Sequence, residues 1–162
     1  MVYSRQDQGG FTMKGSSVSV GTLLDGKGRR VFSIAADASV YSAIEEMAEK
    51  GVGALVVLEN GQLAGILSER DYTRKVILAG RSSRETKTGE IMSTDLITVS
   101  PADTVGYCLR VMTEHRVRHL PVLSDGEVVG VLSIGDLVKQ VIAEQEDTID
   151  HLQSYIAGAY MS

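Results

Sequence analysis

The chain has 162 residues, of which 43% are hydrophobic and 23% are charged, and its formal net charge is −5. This length is close to the roughly 150 residues of a single compact domain. The negative net charge, the absence of tryptophan and the presence of only two phenylalanines argue against a surface that binds nucleic acid.

Cys108 is the only cysteine, so the chain cannot form an intrachain disulfide, as is usual in a reducing compartment. No apolar run approaches the ~18 residues that a membrane-spanning helix needs. The first residues also lack the apolar core of a signal peptide. We therefore predict a cytoplasmic protein without a membrane partner.

The N-terminal residues 1–20 are polar, rich in glycine and serine, and without a periodic pattern, which predicts a flexible arm. Residues 21–24 predict a short helical turn, and the glycine-containing residues 25–28 predict a turn. We assign residues 21–80 to a first folded unit.

The first unit contains five further predicted elements in the order β-α-β-β-α. A continuous valine-rich run predicts its buried middle strand, and Asn60-Gly61 predicts a two-residue hairpin turn after it. Ser39 and Gly51 are suited to begin and to end its first helix. The predicted elements are strand 31–34, helix 39–50, strand 54–58, strand 63–67 and helix 69–78.

A charged linker at 81–88 precedes a second unit at 89–145, in which the same order of elements recurs. Asp125-Gly126 takes the place of the first hairpin turn. The predicted elements are strand 96–99, helix 104–115, strand 119–123, strand 128–132 and a helix that begins at 133 or 134 and ends near 144.

The last residues, 146–162, predict a helical tail. Four apolar side chains recur there at helical spacing, namely Ile149, Leu152, Tyr155 and Ile156. We expect this tail to pack on the body of the protein or on a second subunit.

The two units are related by an internal repeat with an offset of 65 positions. The stretch 65–71 reads Gly-Ile-Leu-Ser-Glu-Arg-Asp, and the stretch 130–136 reads Gly-Val-Leu-Ser-Ile-Gly-Asp. The alignment needs no gap from residue 31 to residue 78, so we infer a duplication. Two copies indicate a paired unit, because solenoids need about three or more repeats.

Doubled β-α-β-β-α units that each end in Gly-x-x-Ser-x-x-Asp resemble a tandem pair of CBS domains, often called a Bateman module. The resemblance covers about residues 21–143, and the sequence His119-Leu120-Pro121-Val122 is similar to the family's second repeat. It implies an α+β fold in which two CBS units pack by pseudo-twofold symmetry. It also implies two clefts between the units that bind adenine nucleotides, and disc-like homodimers of such pairs.

Members of this family commonly sense AMP, ADP, ATP, S-adenosylmethionine or nicotinamide dinucleotides, as regulators and not as catalysts. The resemblance therefore implies an adenine nucleotide as ligand, with NAD(H) as a further candidate, and an unknown regulated protein as partner. The alternative is a module that dimerises or binds other proteins while its clefts stay empty.

Ser68 and Ser133 lie where a strand passes into a helix, so free N–H groups and the helix dipole favour an anion there. Asp71 and Asp136 follow three residues later, and an ionised carboxylate can accept hydrogen bonds from both hydroxyls of a ribose. The same Ser-x-x-Asp pattern is also a capping box, which satisfies N–H groups at a helix start. Because the pattern occurs twice within a pair of units that resembles CBS domains, we favour ribose binding, with capping by the serines as a secondary role.

The two units differ at the turn between their first helix and the next strand. The second unit carries Arg116, Arg118 and His119 at this turn. The resemblance implies that they contact phosphates, because the family often places such residues at the cleft, so the second site should favour the more anionic ligand. His115 is expected to be solvated instead.

The first unit has Gly53 and Ala54 at the equivalent turn, so its site has room but less charge. Arg70 and Arg74 on the closing helix are expected to compensate for this. By the resemblance, adenine would lie in an apolar slot along strand edges and the turns beside them. The complete set of candidate binding residues is Ser33, Val52, Gly53, Ala54, Ser68, Arg70, Asp71, Thr98, Arg116, Val117, Arg118, His119, Pro121, Ser133, Gly135 and Asp136.

The titratable residues do not predict catalysis or a metal site. The nucleophile elbow Gly-x-Ser-x-Gly is absent. His115 and His119 are four residues apart, but the helix ends between them and no cluster of cysteines or carboxylates accompanies them. Cys108 lies on the apolar face of a helix and is expected to be a buried, inert thiol. We therefore predict a non-enzymatic protein with no metal and no catalytic cofactor.

Overall fold

The computed structural model describes residues 15–160, with side chains up to residue 158. Most of the predicted arm at 1–20, and the last two residues of the predicted tail, lie outside the described residues. The first described residues form no helix or strand, but they are tied to the second unit. The Val105 N–H donates to the Val18 carbonyl oxygen at 2.9 Å, and the Val20 N–H donates to the Asp103 carbonyl oxygen at 2.8 Å.

The order of elements confirms the predicted α+β class with two similar units. The first half contains α1 (Val20–Lys27), β1 (Ser33–Ala35), α2 (Val40–Lys50), β2 (Ala54–Glu59), β3 (Gln62–Ser68) and α3 (Glu69–Tyr72), which continues as a π-helical segment, Thr73–Ile77. The second half contains α4 (Thr88–Ile91), α5 (Val105–His115), β4 (His119–Ser124), β5 (Glu127–Ser133) and α6 (Ile134–Tyr160). No helix in the described part of the chain is long and apolar enough to span a membrane.

Short polar side chains cap the N-termini of the equivalent helices α2 and α5. The Ser39 hydroxyl accepts the N–H of Ser42, and the Thr104 hydroxyl accepts the N–H of Tyr107, both at 3.1 Å. Each bond satisfies one of the N–H groups that a helix start leaves unpaired. Gly51 ends α2, as predicted, and it does so in the left-handed conformation with φ of 66°.

β1 runs parallel to β2, and β2 runs antiparallel to β3, whereas β4 pairs only with β5 among the described strands. The predicted strand 96–99 is therefore wrong as a regular strand, and a single bridge between Val99 and Val122 remains. Pro121 explains the difference. Its counterpart Val56 donates its N–H to the Phe32 carbonyl oxygen at 3.2 Å, and proline has no N–H with which to repeat this bond.

Each hydrophobic core is completed by a helix from the other half of the chain. α1 begins the first half, but its Val20, Leu23 and Leu24 are buried in the core of α5, β4 and β5. α4 begins the second half, but its Ile91 is buried in the core of α2, β2 and β3. This exchange ties the units together, because separating them would expose apolar surface on both.

The repeated glycines Gly65 and Gly130 lie where the exchanged segments approach the strands. A Cβ atom at Gly65 would lie 2.7 Å from Met92 Sδ and 2.8 Å from the Ser93 carbonyl oxygen. A Cβ atom at Gly130 would lie 2.7 Å from Leu24 Cδ2. Both glycines of the repeat therefore lie where the chain packs closely on itself.

α6 is one continuous helix of 27 residues, where the sequence predicted a helix ending near residue 144 and a separate tail from 146. No glycine or proline lies between residues 136 and 157, so nothing in the sequence interrupts the helix. From residue 145 to residue 158 every side chain is exposed. The second half of α6 thus offers its apolar side chains to solvent.

Candidate functional site

A cavity of about 860 Å³, here called the first cleft, opens between the two units. The start of α3 lies on one side, and the turn between α5 and β4 lies on the other. Nine of the sixteen predicted binding residues line it, namely Gly53, Ser68, Arg70, Asp71, Arg116, Val117, Arg118, His119 and Pro121. Arg74, which was predicted to add charge, also lines it.

Asp71 sits at the start of α3 and closes a capping box with Ser68. Its Oδ2 accepts the Ser68 N–H at 3.0 Å, and the Ser68 hydroxyl accepts the Asp71 N–H at 3.1 Å. Its Oδ1 accepts the Ser93 hydroxyl at 3.2 Å and lies 3.1 Å from the Lys75 ammonium. The capping role considered from the sequence is therefore present, and the other carboxylate oxygen is held by the side chains of Ser93 and Lys75.

Positive charge converges on the first cleft from both units. Five basic side chains line it against the acidic Glu69, Asp71 and Asp95; they are Arg70, Arg74, Lys75, Arg116 and Arg118. One guanidinium already bridges the units, since Arg70 Nη1 donates to the Arg116 carbonyl oxygen at 3.3 Å. The excess of basic groups gives the first cleft a preference for anions.

This grouping differs from the sequence interpretation. Arg116, Arg118 and His119 were expected at a second site, yet all three line the cavity that contains Asp71. The reason is the pairing of the units, because the α5–β4 turn of the second unit faces the α3 start of the first. His115 is exposed, as expected, and it lines the rim of this cavity as well.

Arg116 ends α5 in the left-handed conformation, with φ of 55°, where its counterpart Gly51 has φ of 66°. A side chain in this region costs about 1 kcal/mol relative to glycine. The second unit therefore carries a cationic residue at a position where glycine would be more stable.

His119 lies at the first residue of β4, next to Gly53. A Cβ atom added to Gly53 would be 3.4 Å from His119 Nε2, so the small residue leaves room for the imidazole. Burial lowers the pKa of His119 below its ordinary value, and the nearby charges of Lys27 and Arg118 lower it further against the opposing effect of Asp136. The imidazole is therefore neutral at neutral pH and would contribute hydrogen bonds instead of charge.

A smaller cavity of about 420 Å³, here called the second cleft, contains the other repeated carboxylate, Asp136. Its Oδ2 accepts the Ser133 N–H at 2.8 Å, so this residue also caps its helix. The same oxygen lies 2.5 Å from Lys27 Nζ, and this ammonium also donates to the Val131 carbonyl oxygen at 2.6 Å. A cation from α1 thus occupies the position beside Asp136.

The environment of Asp136 favours its ionised form. Burial raises the pKa of this carboxyl, but hydrogen bonds from Lys27 and from the Ser133 N–H outweigh the burial. The pKa of Asp136 consequently lies below its ordinary value. The two aspartates that the sequence presents as equivalent therefore have different partners.

The remaining predicted residues line neither of these two cavities. Ser33 begins β1 and is exposed, while Thr98 is half-buried before the bridge at Val99. Val52 packs against the first core, and Ala54 is buried at the start of β2. The last two are Ser133 and Gly135, which belong to the capped start of α6.

Sequence reasoning missed several residues that line the two clefts. Lys75 follows Asp71 by four residues, and that helical spacing is a signal for an ion pair. Ser93, Asp95 and Lys27 had no such signal, because they lie in segments exchanged between the units.

The structure agrees with the prediction for Cys108, which is buried. Burial raises the pKa of this thiol to about 12, so it carries almost no thiolate at neutral pH. Among the described residues, no three or more His, Cys, Asp or Glu side chains are grouped to hold a metal ion.

Comparison with known proteins gives a consistent result. The profile of the CBS domain matches residues 28–77 and 89–143. The chain is 39% identical over 166 residues to the CBS domain-containing protein CBSX3, mitochondrial, from Arabidopsis thaliana, in an alignment that covers 97% of this chain and 79% of that protein.

Two solved structures are also similar. A candidate signal-transduction protein with CBS domains from Burkholderia ambifaria is 48% identical with a TM-score of 0.76, covering 78% of this chain and 96% of that one. A hexameric CBS-CP12 protein from bloom-forming cyanobacteria is 27% identical with a TM-score of 0.66, covering 78% of each chain. CBS pairs are generally regulatory, typically bind adenine nucleotides and commonly form oligomers. Both repeats match the same profile, and the chain accordingly belongs to the CBS-domain family as a tandem pair of CBS units.

Proposed function

We propose that this protein is a regulatory module that binds an adenine nucleotide in the first cleft without turnover. The candidates are AMP, ADP, ATP and NAD(H). One observation carries the proposal: the Asp71 carboxylate and arginines from both units face a single cavity of about 860 Å³. This volume falls within the ~300–1,000 Å³ range that is common for small-molecule sites.

The first cleft offers complementary groups to both charged and neutral parts of a nucleotide. Arg70, Arg116 and Arg118 supply guanidinium groups that suit phosphate oxygens, which they can bind in pairs of hydrogen bonds. Val117 and Pro121 supply apolar surface on the same wall, suitable for a base. A ligand that contacts Arg70 of the first unit together with this wall of the second unit spans the gap between the units.

Asp71 would hold the ribose by exchanging partners. Its Oδ2 stays in the capping box, while its Oδ1 leaves Lys75, whose side chain is 44% exposed, and accepts a ribose hydroxyl. An ionised carboxylate has about four acceptor positions, so the cap and a ribose contact are compatible. The released ammonium remains in the cleft, where a phosphate can bind it.

Regulation would follow from the position of the ligand between the units. A nucleotide that contacts both halves stabilises the arrangement in which those contacts form, and it shifts the population towards that arrangement. A regulated protein that binds only this arrangement would respond to the shift.

We expect the protein in the cytoplasm. Cell fractionation with an antibody to the chain would test that expectation.

Thermal unfolding with a nucleotide panel tests the proposal. A ligand at a hundredfold excess over its dissociation constant stabilises the folded state by about 2.7 kcal/mol. Asp71→Asn should remove this stabilisation, and the matched variant Asp136→Asn should keep it, because each aspartate caps a helix but only Asp71 lines the first cleft. Chromatography of the recovered nucleotide should show it unchanged.

The competing interpretation is an interaction module whose clefts stay empty. The hydrogen bonds already made by Asp71 and Asp136 favour it, since both carboxylates are satisfied within the chain. Unchanged unfolding curves with every nucleotide would support this interpretation and refute the sensor.

We further propose that the protein associates as a homodimer of CBS pairs, for which α6 supplies a specific surface.

A further inference from the structure

The exposed face of α6 repeats every seven residues. Ile142, Ile149 and Ile156 are seven residues apart, and Val138 and Leu152 each precede one of these isoleucines by four. All five side chains are between 44% and 57% exposed. A period of seven with this spacing corresponds to the a and d positions of a coiled coil, with isoleucine at a and valine or leucine at d.

The second half of α6 has no cover from the described part of its own chain. Every side chain from residue 145 to residue 158 is exposed, apolar ones included. A helical segment of this length is only marginally stable in water by itself, because most helical stability comes from packing of an apolar face. The exposed apolar face of α6 therefore needs a partner that covers it.

We propose that α6 pairs with α6 of a second copy of this chain in a parallel, two-stranded coiled coil. β-branched residues at a with leucine at d favour two parallel strands. Gln145 occupies the one remaining d position between Val138 and Leu152. A polar side chain in the seam costs some stability, so the layer at Gln145 is weaker than the apolar layers on either side of it.

The charges of α6 are compatible with pairing to itself. The acidic side chains Glu144, Asp147 and Asp150 fall at positions c, f and b, which point away from the seam. Glu146 falls at the flanking position e, and a parallel arrangement sets it opposite Val141 of the second copy, at position g. Two acidic helices can thus associate without like charges facing each other.

This inference rests on the proposed homodimer and specifies its surface. Its test uses no nucleotide, so the inference can fail while the sensor function stands.

Light scattering of the full chain should give twice the 17.4 kDa of one chain. Ile149→Glu should reduce the mass to that of one chain, because two carboxylates would face each other in the seam. The control Ser154→Glu places the same charge at position f and should remain dimeric. A monomeric wild type, or an Ile149→Glu variant as dimeric as Ser154→Glu, would overturn the proposal.

The orientation has its own test. In a parallel pair, residue 156 of one helix lies opposite residue 156 of the other, so Ile156→Cys should crosslink the dimer under mild oxidation. Cys108 is buried and will not compete. A dimer that Ile149→Glu disrupts but that Ile156→Cys does not crosslink would exclude the parallel arrangement.

Discussion

Lys27 Nζ lies 2.5 Å from Asp136 Oδ2, so α1 of the first half supplies the partner of the second repeated carboxylate. The first carboxylate, Asp71, instead pairs with Lys75 of its own helical segment, at 3.1 Å. A duplication that is nearly symmetric in sequence is therefore asymmetric in charge. Of the two clefts, the first also contains arginines from both units, and it is the cleft to which we assign nucleotide binding.

Replacing Lys27 with methionine should lower stability modestly. The side chains of the Lys27–Asp136 pair are 36% and 22% exposed, and such pairs contribute about 0–1 kcal/mol. Urea unfolding at low and high salt should show a difference from wild type that shrinks as salt screens the pair. Lys50→Met is the control, because Lys50 is also 36% exposed but lies 4.0 Å from its nearest carboxylate partner. Equal effects of the two substitutions would contradict the importance of this contact.

Arg116→Gly should separate stability from binding. Glycine removes the cost of the left-handed conformation at φ of 55°, so unfolding should require about 1 kcal/mol more. Affinity for a nucleotide should fall, since one guanidinium of the first cleft is lost. Gly51→Ala should show the opposite stability change at the equivalent helix end. Undiminished nucleotide affinity in Arg116→Gly, measured by calorimetry, would remove Arg116 from the binding site.

The two repeat glycines should respond differently to alanine. At Gly65 the new methyl group would meet the Ser93 backbone at 2.8 Å, which cannot move without shifting the chain. At Gly130 it would meet the end of the Leu24 side chain, which can rotate away. We expect Gly65→Ala to cost about 1–3 kcal/mol in chemical unfolding, and Gly130→Ala to cost less. A larger loss for Gly130→Ala would show that α1 is packed more rigidly than the segment after α4.

His119 should make stability depend on pH in a defined window. Burial lowers its pKa in the folded state below the ordinary 6.5, so near and below that pH the unfolded chain binds more protons than the folded chain. The stability that the neutral His119 contributes is complete above pH 6.5. It is lost as the pH falls from 6.5 towards the pKa of His119 in the folded state. Unfolding at about pH 5.5 should need less free energy than at about pH 7.5. His119→Asn should weaken this dependence, and His151→Asn, on the exposed part of α6, should leave it unchanged.

Local rules were sufficient to predict most of the fold. Side-chain caps such as Ser39, left-handed glycines such as Gly51 and the Asn60-Gly61 turn each depend on a few neighbouring residues, and the structure places all of them as expected. The missing strand at 96–99 was also encoded locally, in the proline at position 121. The repeat alignment concealed it, because the pattern of apolar residues is the same in both units.

The candidate site was harder to predict, because its residues come from distant parts of the chain. The sequence singled out the arginines of the α5–β4 turn but grouped them at a second site, whereas they line the cavity that contains Asp71. Lys27 and Asp136 are 109 positions apart, and the contact exists only because α1 crosses to the other unit. The apolar side of α1 predicts that it is buried somewhere, and no pattern within α1 specifies which core receives it.

The exchange of α1 and α4 makes the two halves interlocked. If the chain were cut within the linker at 81–88, the first fragment would keep α1 but lose the Ile91 that fills its core, and the second fragment would keep α4 but lose Leu24. Neither piece would have a complete interior alone, whereas a mixture of both could restore each interior by complementation. A duplicated ancestor with this arrangement could not later have separated into two independent proteins without rebuilding both interiors.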